Sequence, residues 1–392
     1  MPMKVSDLMI GQQSALRALE AALRNGRVAH FYVFAGPEGT GKRTTAVAFA
    51  KVLLCAGNQP DQGSAAADLE FCGACAACRQ IEGGYYPDVL VWADRPRPTW
   101  WTSSRANRLY SGPLVMEEAR RIREEMSLAP ALGSRRIFIV DRADQMDVEP
   151  ANCLLKTLEE PPGQRTLILL AENTARLLPT VLSRAEVIHF GLAEEEAISL
   201  WLAGILPGIQ PPLVGRAVAF CGGRPGWAHL FSLNAEVLEA VENAVDALLK
   251  IASGDPYAVF WASGALLAAA KEWQRHVGEG IPTAGQGGEG EEGAGEETSS
   301  EQQIVRECLP LVLNAVLSFL RRRAMLGAAQ SDLAAESAAA DHLNPDFYGG
   351  LVPIITRFLS RLAANVNISL LLQLFCLEVA AIGERHPVAA KG

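Results

Sequence analysis

Gly36-Pro-Glu-Gly39-Thr-Gly41-Lys42 fits G-x-x-x-x-G-K, the loop whose backbone N–H groups cradle phosphates while its lysine reaches the outer ones. It follows the β-prone run His30–Ala35 and precedes an apolar helical stretch, Thr44–Leu54, so a helix N-terminus would face any bound anion. The next position normally carries a Ser or Thr whose hydroxyl binds Mg²⁺, and here it is Arg43. Thr44 is rotated by about 100° around the helix and is a poor substitute. A second acid belongs at the end of a neighbouring strand, where it helps to hold the metal. Asp141, closing the run Ile137-Phe-Ile-Val140, has that place. The residue after it, where a water-polarising Glu would serve hydrolysis, is Arg142. Asp144 could be imagined as a base, but an acid at a strand-to-helix junction is more often solvated or capping. Two catalytic groups are thus missing together. The reading is a degenerate nucleotide site made by Gly36, Gly39, Gly41, Lys42 and Asp141, with ATP binding left open and hydrolysis not expected.

Cys72, Cys75 and Cys78, with Cys55 upstream, have the form C-x16-C-x2-C-x2-C. Four thiolates satisfy tetrahedral Zn²⁺ and leave no position for water, so such a site would be structural. Reduced free thiols or a disulfide are the alternatives. Cys153, Cys221, Cys308 and Cys376 are scattered along apolar segments and read as core packing.

These groups need a scaffold. Leu8, Ala15, Leu16, Leu19 and Leu23 give a first amphipathic helix. The next elements expected are strand Val89–Trp92, helix Val115–Ser127, strand Ile137–Val140, helix Glu149–Leu158 and strands Thr166–Leu170 and Val187–Phe190. Short apolar strands alternating with helices imply a parallel sheet covered on both faces. The β signal then stops. Glu194–Gly204, Pro212–Cys221 and Gly226–Leu238 read as three short helices forming a lid, and everything from about Ala240 is helical except 278–303. That Gly/Glu-rich stretch lacks the apolar content to order itself and reads as a disordered tether. The expected organisation is therefore 1–190, with a zinc module over 55–78, then a lid over 191–239 and a helical domain over 240–392 interrupted by 278–303.

The formal net charge is −9, but seven carboxylates lie in 278–303 and leave the rest at −2, which argues only against a strongly basic, self-sufficient DNA binder. Lys4 and Asp7 interrupt any apolar leader at the start, so export is not expected. The apolar stretches Leu309–Leu320 and Ile368–Ile382 contain Asn314, Gln373 and Glu378 and fall short of a membrane span. A cytoplasmic, non-membrane location is the expectation.

The opening Ile10-Gly-Gln, the run Val28-Ala-His30 through Gly36-Pro, Met126-Ser-Leu-Ala-Pro130, Asp141 through Met146, and Ala151-Asn152 through Pro162 form one collinear series. It is followed by Ser183-Arg184-Ala185 and, far downstream, Asn365-Val-Asn367. This series resembles the delta-prime subunits of bacterial DNA polymerase III, members of the clamp-loader AAA+ family, and their gamma/tau relatives. The likeness is strong over Ile10–Phe190, with Ala185 where the family's Ser-Arg-Cys motif has cysteine. It implies an α/β AAA+ (P-loop) domain with a parallel sheet, a small helical lid and an all-α C-terminal collar. It also implies a place beside gamma/tau and delta subunits in a ring that loads the sliding clamp onto primer-template DNA for replication. In that setting Arg184 would act in trans, as an arginine finger on a neighbour's ATP, with no ATPase of this chain's own. The family carries a similar zinc module.

In the lid, Gly226 of Gly222-Gly-Arg224-Pro-Gly226 falls where active relatives carry a phosphate-contacting arginine; Arg224 precedes Pro225 and so lies outside the helix. A competent gamma/tau-type ATPase and a purely structural zinc-containing adaptor remain as alternatives. Arg95–Arg108, interleaved with Trp100 and Trp101, and Arg321–Arg323 receive no role.

Overall fold

The computed structural model describes residues 3–58, 69–92, 114–159, 164–255, 257–278, 294–331, 343–362 and 367–386. The insert 95–108, residues 59–68 of the loop between the first two cysteines, Pro161, Pro162, Asn365 and the stretch 279–293 of the acidic tether lie outside these.

Seven strands occur among the described residues: β1 (Met3–Lys4), β2 (Phe31–Ala35), β3 (Glu70–Phe71), β4 (Val89–Trp92), β5 (Arg136–Val140), β6 (Arg165–Ala171) and β7 (Glu186–His189). The early helices are α1 (Val5–Leu8), α2 (Gln13–Arg24), α3 (Lys42–Leu54), α4 (Ala76–Gly83), α5 (Met116–Ser127), α6 (Val148–Glu159) and α7 (Pro179–Leu182). Then come α8 (Glu195–Ile205), α9 (Pro211–Cys221), α10 (Pro225–Leu233), α11 (Ala235–Ala252), α12 (Ala258–Gly278), α13 (Ala294–Ser331), α14 (Pro345–Leu362) and α15 (Ile368–Arg385).

Five strands form one parallel sheet in the order β4-β5-β6-β2-β7. β2, β5 and β6 are buried along their whole length, which is why they read as unbroken apolar runs. Alternate side chains feed two cores. Tyr32, Phe34, Ile137, Ile139, Ile168 and Leu170 pack towards α2 and α3, whereas Phe31, Val33, Phe138, Val140, Leu167 and Leu169 pack towards α5 and α6. β1 and β3 make a separate antiparallel pair, with Met3 opposite Phe71, that two-residue strands leave invisible to periodicity.

The entry to β5 is pinned by one buried carboxylate. Asp88, fully buried, accepts the N–H groups of Ala131, Leu132 and Gly133 at 2.6, 2.7 and 2.7 Å. Arg136 lies 3.6 Å from it and donates to the Glu125 carboxylate at 3.0 Å. Asp88→Ala would remove the shared acceptor of these three N–H groups and one of the two carboxylates beside the buried Arg136 guanidinium, and is expected to cost about 2–3 kcal/mol. Denaturant unfolding of the purified variant checks this, with a loss below about 1 kcal/mol contradicting it.

The chain divides into two compact units, Met1–Trp201 with Gly223–Gly226, and Leu202–Gly222 with Trp227–Gly392. The second is all helical, with α11 packed on α12, α12 on α13 and α14 on α15. The expected helix Gly226–Leu238 is two: Asn234, with φ −127° and ψ 85°, departs from helical backbone and its amide caps Leu230 O at 3.0 Å. α13 begins at Ala294, so the last part of the expected tether is helical. No helix among the described residues is long and apolar enough to cross a membrane.

Candidate functional site

β2 ends at Ala35 and the chain turns at Gly36, whose N–H donates to Ala171 O at 3.0 Å. A β-carbon at Gly36 would collide with the Phe190 carbonyl, and its φ of +153° lies at the edge of the region that glycine tolerates. Gly41, at φ 95°, caps α3, so the helix N-terminus opens on the loop as the motif requires. The lysine is held within the loop. Lys42 Nζ donates to Gly36 O at 2.5 Å and Pro37 O at 2.8 Å, within its own loop, and only 9% of the residue is exposed. Burial pulls its ammonium below the usual lysine range, against the opposing fields of Glu172, Glu38 and Asp144.

Arg43 does not turn away from the metal position. Its guanidinium forms an ion pair with Asp141, the two side chains being 21% and 19% exposed. The strand register makes this possible: β5 runs beside β6 and β6 beside β2, so the C-terminal ends of β5 and β2 open on the same edge. A cation is thus covalently built in beside the acid that would otherwise help to hold Mg²⁺. Arg142 follows with φ 51°, the one non-glycine residue in the left-handed region among those described, and its N–H donates to Asp141 Oδ1 at 3.0 Å.

Asp144 is neither solvated nor a helix cap: it is 8% exposed, and Oδ2 accepts the N–H of Asn173 at 3.2 Å, tying the end of β6 to the turn after β5. Two acids that sequence reasoning passed over complete the site. Glu38 lies inside the loop and Glu172 directly follows β6. Burial pushes the Glu172 carboxyl up, Glu38 adds to that, and Lys42 opposes it. Position alone could have flagged Glu172, since the carboxyl ends of parallel strands are where such folds collect site residues. Acids thus stand by both cations, Asp141 paired with Arg43 and Glu172, Glu38 and Asp144 near Lys42.

Gly226, at the start of α10, donates its N–H to Gly39 O at 2.9 Å, and a β-carbon there would sit 3.1 Å from that oxygen. Arg224 precedes the helix, as Pro225 requires.

Arg184 is elsewhere. It follows α7 and precedes β7, is exposed, and donates from Nη1 to Thr180 O at 3.2 Å and to Ser183 Oγ at 3.4 Å. β7 runs parallel to β2 with Glu186 opposite Tyr32 and His189 opposite Ala35. Arg184 is therefore level with the start of β2, about 20 Å of strand from the phosphate loop, given about 3.3 Å per residue. The two features occupy opposite ends of the sheet.

The cysteines converge. Cys55 ends α3, Cys72 follows β3, Cys75 caps α4 and Cys78 lies in its first turn; their four sulfurs are all within 4.8 Å of one another. Backbone N–H groups of Cys72, Cys75 and Cys78 point at the sulfurs of Cys55, Cys72 and Cys75 at 3.3, 3.3 and 3.4 Å. N–H donors from Ala74 and Cys75 bring the Cys72 thiol down to about 6. Burial pushes the Cys55 and Cys78 thiols up, so it is the convergence of four sulfurs, with N–H donors aimed at three of them, that fits a tetrahedral ion of the zinc type.

A phosphate loop at the C-terminal edge of a β4-β5-β6-β2-β7 parallel sheet, helices on both faces and helices following, defines an AAA+ type P-loop protein. The family model described as DNA polymerase III, delta subunit matches residues 11–193. The delta-prime subunit of DNA polymerase III from Pseudomonas aeruginosa is 31% identical over 238 residues, 60% of this chain and 66% of that protein. The delta-prime subunit of Bacillus subtilis is 30% identical over 48% of this chain and 50% of its own length, and the tau subunit of that organism is 30% identical over 50% and 31%. Among solved structures, a DNA polymerase III gamma subunit-related protein of Thermotoga maritima aligns over 94% of this chain and 99% of that one, at 15% identity and a TM-score of 0.41. The chain belongs to the clamp-loader family of DNA polymerase III, which includes the delta-prime and tau/gamma subunits. It spans about two thirds of one of these curated relatives and half or less of the other two.

Proposed function

We propose that this chain is a stator-type clamp-loader subunit of a DNA polymerase III holoenzyme: it hydrolyses no ATP itself and lends Arg184 to the ATP site of an adjacent gamma/tau subunit. Its partners would be gamma/tau and delta subunits and, through the complex, the sliding clamp and primer-template DNA. The reading takes 1–190 as the AAA+ domain, 191–239 as the lid and 240–392 as the collar.

The observation that carries it is the Arg43–Asp141 ion pair. Metal-assisted phosphoryl transfer needs a hydroxyl and an acid converging on Mg²⁺, and here a fixed cation takes the acid's charge while no hydroxyl stands in its place. Arg142 removes the base, and Lys42 is bonded to its own loop. Similar identity to delta-prime and tau relatives does not separate the two readings, and it is these residues that favour the stator.

Arg184 supports the second half. It cannot serve the chain's own loop from the opposite end of the sheet, yet it is exposed to a neighbour. Cys55, Cys72, Cys75 and Cys78 would hold one structural Zn²⁺, whose contribution is to fix the end of α3 to β3 and α4.

The purified chain is expected to show no Mg²⁺-dependent ATP hydrolysis above background, with or without primed DNA. Turnover that disappears on Lys42→Ala would overturn the proposal in favour of a gamma/tau-type ATPase.

A further inference from the structure

In the helical unit, far along the chain from the phosphate loop and the cysteines, three potential ligands meet. Glu272 and His276 are four residues apart on α12 and so share one face, a turn apart. Glu236 is the second residue of α11. Its contact with the last turns of α12 shows that the two helices pack antiparallel. His276 Nε2 lies 3.4 Å from Glu236 Oε2 and 3.8 Å from Glu272 Oε2, and one ligand atom from each residue falls within 4.8 Å of the others. Bonds of about 2.0–2.1 Å to imidazole nitrogen and carboxylate oxygen place neighbouring ligands about 3.3–3.4 Å apart around a tetrahedral ion. The His276–Glu236 separation meets this, and the His276–Glu272 separation of 3.8 Å need close by only a few tenths of an ångström.

Two further details separate this from surface carboxylates lying near a histidine. Glu272 Oε2 is buried and has no hydrogen-bond partner, an expensive condition for a carboxylate oxygen. The other oxygen of the same group accepts from Arg275 at 2.5 Å. Arg275 thereby fixes the carboxylate and leaves Oε2 turned towards His276, the orientation that a hydrogen-bonded outer partner gives to a metal-binding carboxylate. His276 and Glu272 are 16% and 23% exposed and Glu236 is 72% exposed, so the cluster is anchored on its inner side and open to solvent on its outer one.

We propose that Glu236, Glu272 and His276 bind a divalent transition metal of the Zn²⁺ class, through one imidazole nitrogen and two carboxylate oxygens with water completing the sphere. The ion clips the first turn of α11 to the end of α12. The site is independent of the phosphate loop and of the cysteine cluster.

The test is calorimetric titration with ZnCl₂ of the full-length chain from the metal-free state, in which the cysteine cluster takes one equivalent. One further equivalent is expected to bind, to be lost in His276→Ala and in Glu272→Gln, and to bind about 10-fold more weakly or worse in Arg275→Ala. Should either inner variant fail to fold, Glu236→Gln on the exposed side carries the same comparison. Cys75→Ser, which touches only the other cluster, retains the event. Equal zinc binding by the wild type and His276→Ala, or no second equivalent at all, reduces the cluster to a histidine–carboxylate ion pair and overturns the proposal.

Discussion

Arg184→Ala is expected to lower ATP hydrolysis at the adjacent subunit's site by about 10³-fold or more, the scale of an arginine finger supplied in trans. That is roughly 4 kcal/mol of transition-state stabilisation. The side chain is exposed and belongs to neither core of the sheet, and it donates to the Thr180 carbonyl and Ser183 hydroxyl beside it, so folding and assembly should persist on its removal. A ring with several ATP sites would keep the turnover of sites that this chain does not face. Single-turnover hydrolysis in the reconstituted, DNA-bound complex is the sharper measurement, and one kinetic phase is expected to vanish. Arg184→Lys distinguishes the finger from a simple surface charge. A lysine keeps the charge but loses the planar fork, so it should rescue little if the guanidinium grips a phosphoryl group and fully if only charge is needed. Hydrolysis unchanged in Arg184→Ala would leave the chain with a purely structural role in its complex.

Much of this arrangement was legible in the sequence because it is local. Val89–Trp92 was expected as a strand and is one, and the other sheet strands fall within a residue or so of their expected ends, because strands buried on both faces must be continuous apolar runs. The cysteine doublets announce themselves by spacing, and Cys55 joins them across the long loop because α3 ends beside β3 and α4. What stayed hidden depends on register between distant segments. Arg43 and Asp141 are 98 positions apart, and only the parallel order of β2, β6 and β5 brings them together. The acids around Lys42 come from a variable position of the loop, the turn after β5 and the end of β6, and only the fold brings them together. Asp144 illustrates the limit: its type and place suggested a solvated turn, whereas Asn173 draws it into the interior. Asn234 broke a helix that apolar spacing alone would have continued.

One helix joins the two chemical features. α3 begins in the phosphate loop at Lys42 and ends at Cys55, and between them nearly every residue is buried. Phe49 packs edge-on against Tyr32 at 5.8 Å between ring centres, and Leu69, Phe71, Cys78 and Ile81 close over the helix's C-terminal half from the cysteine module. The phosphate loop is therefore carried on a helix fastened at its far end, which suits the stator role proposed for the chain.

That fastening makes metal removal the other large effect. Structural zinc in small fingers contributes an apparent 10–16 kcal/mol at neutral pH, and a module resting on an existing core should show part of that. Cys75→Ser is expected to abolish zinc binding at the cysteine cluster and to destabilise the first unit by several kcal/mol, since it removes a ligand and also the sulfur that accepts the Cys78 N–H at 3.4 Å. The loss should be graded along the chain. β1, held to β3 by a two-residue ladder, would release first, then the C-terminal end of α3, while β5 and β6 on the far side of the helix keep their protection. Hydrogen exchange with and without a chelator reads that order directly, and metal analysis of the untreated protein fixes the stoichiometry. Less than half an equivalent of zinc in protein prepared without chelators, with unchanged exchange in Cys75→Ser, would return the four cysteines to the status of buried thiols that happen to meet.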